Sequence, residues 1–196
     1  MKKDDSIQDA EAPMVPPATV LTSTGGNLVP FFYYFAYGSN LLTDRMRYRQ
    51  KGAEYDRNGL LNGYELAFID FSTRWQGALA TIIDKNDGEV WGCIWRIPLE
   101  YAESLDKQET GYNRLNVTIK TSDGDVECRT YQYSDPMPVF NPPSPHYKLV
   151  IVEGAKEHEL PEEYIKRLEK VPVNDYQGPV DVDIPLLETL NKVEKA

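Results

Sequence analysis

The chain has 196 residues, of which 41% are hydrophobic and 27% charged, a composition typical of one soluble globular domain. Asp and Glu number 31 against 21 Lys and Arg, giving a formal net charge of −10 without a basic cluster beside aromatic residues. This balance argues against a nucleic-acid-binding surface and against an anionic membrane as partner. No apolar run could span a bilayer and no secretory signal opens the chain, so we expect a cytoplasmic protein.

Residues 1–28 mix charge, Pro, Thr and Gly without a periodic apolar face, which predicts a disordered N-terminal tail. One domain is expected over residues 29–180. Residues 181–196 are expected to be a C-terminal tail that could form a short helix.

The first predicted element is a buried central strand over residues 31–37, an apolar and largely aromatic run. Gly38-Ser39-Asn40 ends this run, and helical spacing restarts around residues 42–48. A tight turn next to a helix N-terminus can direct successive N–H groups at one point. That arrangement suits a carboxylate, a phosphate or a developing oxyanion, although an ordinary strand-to-helix connection would have the same sequence.

The middle of the chain alternates extended segments with turns. We predict strands over 55–61, 64–70, 78–83 and 89–97, with a hairpin turn at 84–88. Cys93 lies in the last of these strands and Cys128 in a later one, without C-x-x-C spacing. We therefore expect reduced, buried thiols. Because the chain has only two histidines, His146 and His158, we expect no metal site.

The second half begins with a predicted helix that Pro98 opens and Gly111 ends. Two strands over 115–120 and 126–133 follow, joined by a hairpin turn. Residues 147–157 resemble a strand by propensity, but we predict a helix there, and an amphipathic helix over 161–169. About six strands and three or four helices indicate an α+β fold.

Glu109 is the first candidate catalytic residue, because it ends a predicted helix four residues after Leu105 and therefore shares its face. If Leu105 packs inward, burial and the helix dipole would both raise the pKa of Glu109, as a general base near neutral pH requires. The alternative is a solvated glutamate at a helix end.

Tyr147 is the second candidate, because it follows a stiff loop with several prolines and could reach over a pocket to bind a ligand. It could equally pack in the core. His146 beside it is a weak candidate for acid–base chemistry, since no Ser or Cys nucleophile signature lies near it.

Several ordered blocks of the sequence together resemble the gamma-glutamylcyclotransferase family. These blocks span residues 31 to 178 in order, and they are Tyr37-Gly38-Ser39-Asn40-Leu41-Leu42-Thr43, Glu89-Val90-Trp91-Gly92, Leu105-Asp106-Lys107-Gln108-Glu109, Pro143-Ser144-Pro145-His146-Tyr147, Gly154-Ala155-Lys156-Glu157 with Leu160-Pro161, and Asn174-Asp175-Tyr176.

The resemblance implies a small mixed β-barrel with flanking helices, a cytosolic homodimer and no metal or organic cofactor. It implies conversion of γ-glutamyl amino acids into 5-oxoproline and the free amino acid, a step of glutathione metabolism. The family's base falls on Glu109. Its substrate-binding residues fall on Tyr34, Phe35, Ala36, Tyr37, Gly38, Ser39 and Tyr147.

The implied reaction fits the missing nucleophile signature, because the substrate's own α-amine attacks the γ-carbonyl. Two positions depart from the family pattern: Thr110 stands where a Gly usually follows the glutamate, and Asn116 where a Tyr is common. Three alternatives stay open: a cyclotransferase acting on γ-glutamylamines, one acting on glutathione, and a non-catalytic relative that binds a ligand or serves as a dimeric interaction protein.

Overall fold

A computed structural model describes residues 20–24 and 27–188 of the chain. In these ranges it contains six strands: β1 (Val20–Thr24), β2 (Asn27–Ala36), β3 (Glu54–Ser72), β4 (Gly77–Pro98), β5 (Tyr112–Thr121) and β6 (Gly124–Tyr133). The helices are α1 (Thr43–Arg49), α2 (Ala102–Gln108), α3 (Pro145–Glu157) and α4 (Glu162–Glu169). Short 3₁₀ turns at Ser39–Leu41 and Leu99–Tyr101 precede α1 and α2. The predicted α+β class is confirmed.

The strands form one sheet in the order β1-β2-β4-β3-β5-β6, and β2 also pairs with β6. Five strands therefore close into a ring, with β1 attached outside it along β2. All pairings are antiparallel except the single parallel pair of Tyr34 with Arg129, and β3 joins β5 through the single pair of Leu60 with Lys120. We describe the predicted barrel as a ring of strands, since two of its junctions consist of one registered pair each.

The predicted hairpin turn at 84–88 is wrong. Strand β4 runs through this region, and both of its halves pair with β3, since Asp84 lies opposite Tyr64 and Glu89 opposite Asn62. The intervening residues bulge out of the sheet, because the register shifts between these two pairs and leaves residues 85–88 opposite Gly63 alone. The turn residues at this point therefore form a bulge, and the hairpin that reverses the chain lies at residues 73–76.

The core surrounds β2 and β4. Strand β2 pairs with β4 on one side and with β1 and β6 on the other, and its Phe35 is fully buried, which confirms the predicted central strand. Trp95 of β4 and Leu105 of α2 are also fully buried. Cys93 and Cys128 are buried, free thiols whose pKa values burial raises well above the usual range, as expected.

Helix α3 forms although its sequence favours a strand. Ser144 caps it, its Oγ accepting a hydrogen bond from the Tyr147 N–H at 3.2 Å, and Pro145 occupies the first turn. A Cβ on Gly154 would lie 2.4 Å from the Leu42 nitrogen, so this glycine lets α3 pack directly against the start of α1. The helix predicted over 147–157 is confirmed.

The two ends of the chain lie partly outside the described residues. Of the N-terminal segment expected to be disordered, residues 1–19, 25 and 26 are outside the description, whereas Val20–Thr24 forms β1. At the other end, Val182, Ile184 and Leu187 are buried in the core, and residues 185–188 are helical. Within the described ranges no helix is both long and apolar enough to cross a membrane.

Candidate active site

A cavity of about 190 Å³ opens where the end of β2, the β3–β4 hairpin, α1, α2 and α3 meet. This volume is below the roughly 300–1,000 Å³ typical of drug-sized ligands, so the cavity suits a small molecule. Its lining is polar and aromatic, and includes Tyr34, Tyr37, Gly38, Ser39, Asn40, Arg45, Arg49, Arg74, Trp75, Ala80, Glu109, Thr110, Tyr112, Tyr131 and Tyr147.

The turn after β2 lines this cavity and contains unused backbone donors. The carbonyls of Gly38 and Ser39 accept hydrogen bonds from Leu41 and Leu42, but among the described residues the N–H groups of Gly38, Ser39 and Asn40 have no acceptor. A Cβ on Gly38 would lie 3.2 Å from Ala80 Cβ. A glycine therefore lets this turn pack closely against β4 and the Tyr147 hydroxyl.

Glu109 is the C-cap residue of α2, and its N–H donates to the Leu105 carbonyl at 3.1 Å. Its side chain is only 14% exposed, with Oε1 3.7 Å from Nη1 of Arg49. Burial raises the pKa of Glu109, and the opposing effects of Arg49 and Arg45 are smaller. The carboxylate thus has the environment expected of a general base.

Reciprocal hydrogen bonds hold Glu109 in place by joining α1 to α2. Arg49 donates through Nε to Gln108 Oε1 and through Nη2 to the Gln108 carbonyl, and Gln108 Nε2 donates to the Arg49 carbonyl, each at 3.1 Å. Because Gln108 immediately precedes Glu109, this contact sets the position of the carboxylate.

A second network ties α2 to the strands. The Asp106 carboxylate accepts hydrogen bonds from the Tyr131 hydroxyl at 2.5 Å and from Arg114 and Arg129, each at 3.2 Å. Arg129 is itself buried against the Phe32 ring. The helix that carries Glu109 is therefore anchored on two sides.

Tyrosine hydroxyls hold the opposite wall. Tyr147 lies in the first turn of α3, within the helix predicted over 147–157, and its hydroxyl accepts a hydrogen bond from the Ala80 N–H at 3.2 Å. The Tyr112 hydroxyl donates to the Ala80 carbonyl at 3.0 Å. Burial raises the pKa values of Tyr147 and Tyr112, so both hydroxyls stay protonated at neutral pH.

The structure brings most of the candidate residues together. Those that line the cavity are Tyr34, Tyr37, Gly38, Ser39, Glu109 and Tyr147. Phe35 and Ala36 do not line it and are buried in the core. Phe35 lies on the opposite strand face from Tyr34, since side chains alternate along β2.

Other residues singled out in the sequence lie at the rim of the cavity or outside it. Thr110 lies at the rim, its hydroxyl bonded to the Lys107 carbonyl at 2.8 Å, whereas Asn116 is exposed on β5 and does not line the cavity. His146 is buried outside the lining. Sequence reasoning missed Arg45 and Arg49, although their spacing of four residues places both on one helix face.

Comparison with known proteins gives consistent results. A family model described as the AIG2-like family matches residues 89–168. The chain is 43% identical to a Bos taurus protein named gamma-glutamylcyclotransferase over 162 residues, covering 78% of this chain and 85% of that protein. A Mus musculus protein of the same name is 40% identical over 158 residues, covering 76% and 83%. A solved structure named gamma-glutamyl cyclotransferase superposes with a TM-score of 0.76 at 36% identity, covering 84% of this chain and 98% of that one.

Proposed function

Because this chain belongs to the gamma-glutamylcyclotransferase family, we propose that it converts γ-glutamyl amino acids into 5-oxoproline and the free amino acid. The observation that carries the proposal is a buried carboxylate, Glu109, in the same cavity as the unused N–H groups of Gly38 and Ser39. One group can move protons and the others can bind negative charge, which are the two requirements of this reaction.

The substrate supplies the nucleophile. Its α-amine attacks its own γ-carbonyl carbon, the new C–N bond closes a five-membered lactam, and the bond to the leaving amino acid breaks. Holding the γ-glutamyl chain in a folded conformation can contribute roughly 7–11 kcal/mol to such an intramolecular attack. The small cavity lined by aromatic side chains supports this role.

We assign the proton transfers to Glu109. Two protons must pass from the α-ammonium group to the nitrogen of the leaving amino acid, and one carboxylate can accept and return each in turn. The raised pKa of Glu109 brings it closer to neutral pH, where transfer in both directions is efficient. In the described part of the chain no other carboxylate lines the cavity.

The N–H groups of Gly38 and Ser39, with that of Asn40, are the proposed donors to negative oxygen, either the α-carboxylate or the oxyanion that develops on the γ-carbonyl. Tyr34, Tyr37 and Tyr147 complete the proposed substrate-binding set. Phe35 and Ala36 would contribute by supporting the strand behind the turn.

We further propose that the enzyme is a cytoplasmic homodimer that takes part in glutathione metabolism and needs no metal or organic cofactor. Exposed apolar side chains at the end of β3 and in the loop between β6 and α3 support a dimer surface, namely Phe71, Met137, Val139 and Phe140. Light scattering of the purified protein tests the dimer, and a monomer at micromolar concentration would contradict it.

The decisive experiment offers the purified protein γ-glutamyl-alanine, γ-glutamyl-ε-lysine and glutathione separately and measures 5-oxoproline. We expect the highest kcat/KM with γ-glutamyl-alanine. A preference for either of the other two compounds would favour the corresponding alternative enzyme. Absence of product from all three would favour a non-catalytic relative.

A further inference from the structure

Arg45 is a buried cation in the cavity that the mechanism above does not use. It lies in the middle of α1, its side chain lines the cavity, and the residue is only 3% exposed. Its Nε has no hydrogen-bond partner within residues 20–24 and 27–188. Arg47, two residues further along the same helix, is exposed to solvent, so the burial of Arg45 is specific to the face of α1 that meets the cavity.

The other arginines of the cavity already have partners. Arg49 is bonded to Gln108 and lies 3.7 Å from the Glu109 carboxylate, and Arg74 lies 4.0 Å from a carboxylate oxygen of Asp181. Among the described residues, no comparable ion pair involves Arg45. Its guanidinium carbon lies 5.4 Å from the centre of the Trp75 ring.

The Glu109 carboxylate acts on Arg45 only from beyond ion-pair distance. A buried guanidinium without a directly paired carboxylate is unfavourable, because it gives up hydration for little compensating charge. Stacking on an aromatic ring recovers only part of that loss. Burial and the nearby Arg49 lower the pKa of Arg45 to about 10, a value at which it is still charged at neutral pH. A planar anion that binds in the cavity would supply the missing partner, and guanidinium groups match carboxylates in shape and charge.

A second buried group in the cavity also lacks a partner, and it has the opposite polarity. Asn40 donates through Nδ2 to the Tyr34 hydroxyl at 3.1 Å, while its Oδ1 has no hydrogen-bond partner. Arg45 and Asn40 thus each bring to the lining of the cavity one buried polar atom without a partner among the described residues, a donor on Arg45 and an acceptor on Asn40. An α-amino acid presents the complementary pair, a carboxylate and an ammonium group.

We propose that Arg45 binds the α-carboxylate of the γ-glutamyl group, beside the N–H groups of the turn after β2, with Asn40 Oδ1 accepting from the α-ammonium. This inference rests on the proposed function. The α-carboxylate stays in place through cyclisation and becomes the carboxylate of 5-oxoproline, so a fully buried partner suits it. The carboxylate of the leaving amino acid must instead leave the cavity with its product. An ion pair with a buried arginine would slow the release of that product.

The first test compares the binding of 5-oxoproline with that of 2-pyrrolidinone, which lacks only the carboxylate, by NMR titration. Wild-type protein should bind 5-oxoproline more tightly. Arg45→Met should lose about 30-fold or more of the 5-oxoproline affinity and most of the preference over 2-pyrrolidinone, with only the part that the N–H groups of the turn supply left. Arg45→Lys should recover part of the preference, and the matched control Arg47→Met should behave as wild type.

The second test identifies the carboxylate by steady-state kinetics. γ-Glutamyl-ethylamide keeps the α-carboxylate but lacks the carboxylate of the leaving group in γ-glutamyl-alanine. Arg45→Met should lower kcat/KM for both substrates by the same factor. A loss confined to γ-glutamyl-alanine would place Arg45 at the leaving amino acid and overturn the assignment.

Two further outcomes would also overturn it: wild-type protein that binds both lactams equally, or Arg45→Met protein that keeps the full wild-type preference for 5-oxoproline. If Arg45→Met does not fold by circular dichroism, Arg45→Lys and Arg45→Gln decide by the same comparison, since only the lysine keeps the charge. The binding test needs no turnover. Wild-type protein without cyclotransferase activity would therefore refute the proposed function and leave the lactam comparison to decide the role of Arg45.

Discussion

Replacing Glu109 by glutamine is the sharpest test of the proposed chemistry, because it keeps the shape of the side chain and removes its proton-accepting oxygen. The side chain is 14% exposed and no second carboxylate lines the described cavity, so solvent and neighbours are poor substitutes for it. General acid–base catalysis is worth about 10²–10⁴-fold in rate. We expect kcat for γ-glutamyl-alanine to fall by that factor, with KM changing little because the binding groups remain.

The assay measures 5-oxoproline over a range of pH. For wild-type protein, kcat/KM should rise with pH through the pKa of Glu109, which burial raises above its ordinary value. In Glu109→Gln this rise should disappear. The matched control is Glu103→Gln, in the same helix but 81% exposed and paired only with Lys107. Retention of wild-type kcat by Glu109→Gln, or an equal loss in the control, would refute Glu109 as the base.

Three further changes test how the site is held. Because the folded-state pKa of Glu109 is raised, its ionisation opposes folding, so Glu109→Gln should melt at a higher temperature than wild type near pH 7, and this difference should vanish below pH about 4. Tyr147→Phe leaves the buried Ala80 N–H without its acceptor and should cost about 1–3 kcal/mol in urea-induced unfolding; an unchanged midpoint would contradict this. Gln108→Ala removes the two hydrogen bonds that the Gln108 side chain makes with Arg49 and keeps the one to its carbonyl. It should lower kcat with little change in the melting temperature, whereas a loss of stability alone would show that the side-chain bonds do not position the base.

The sequence predicted the elements whose signals are local and agree with one another. Strand β2 is an uninterrupted apolar run, and the β5–β6 hairpin has two β-branched or aromatic segments around a polar turn. Leu105 and Glu109 are four residues apart, which was sufficient to place the glutamate on the buried side of α2. These features need no information about distant parts of the chain.

The errors arose where tertiary pairing overrides a local signal. The turn residues at 84–88 look like a hairpin, but β3 pairs with β4 on both sides of them and turns them into a bulge. The helix predicted from residue 147 begins two residues earlier, at Pro145, because the Ser144 side chain caps it. The role of Arg45 needs the cavity itself, because a buried arginine and an exposed one, Arg47, look alike in sequence.

The closure of the ring has a consequence for how the protein is made. Strand β6 holds the turn after β2 through two hydrogen bonds. The Thr130 hydroxyl donates to the Phe35 carbonyl at 2.9 Å, across 95 residues, and the Tyr37 hydroxyl donates to the Tyr131 carbonyl at 2.5 Å, across 94 residues. Contacts between residues so far apart form late and slow folding. During synthesis, the cavity can therefore form only after β6 and α3 have left the ribosome. Chains that end before Tyr147 should be inactive.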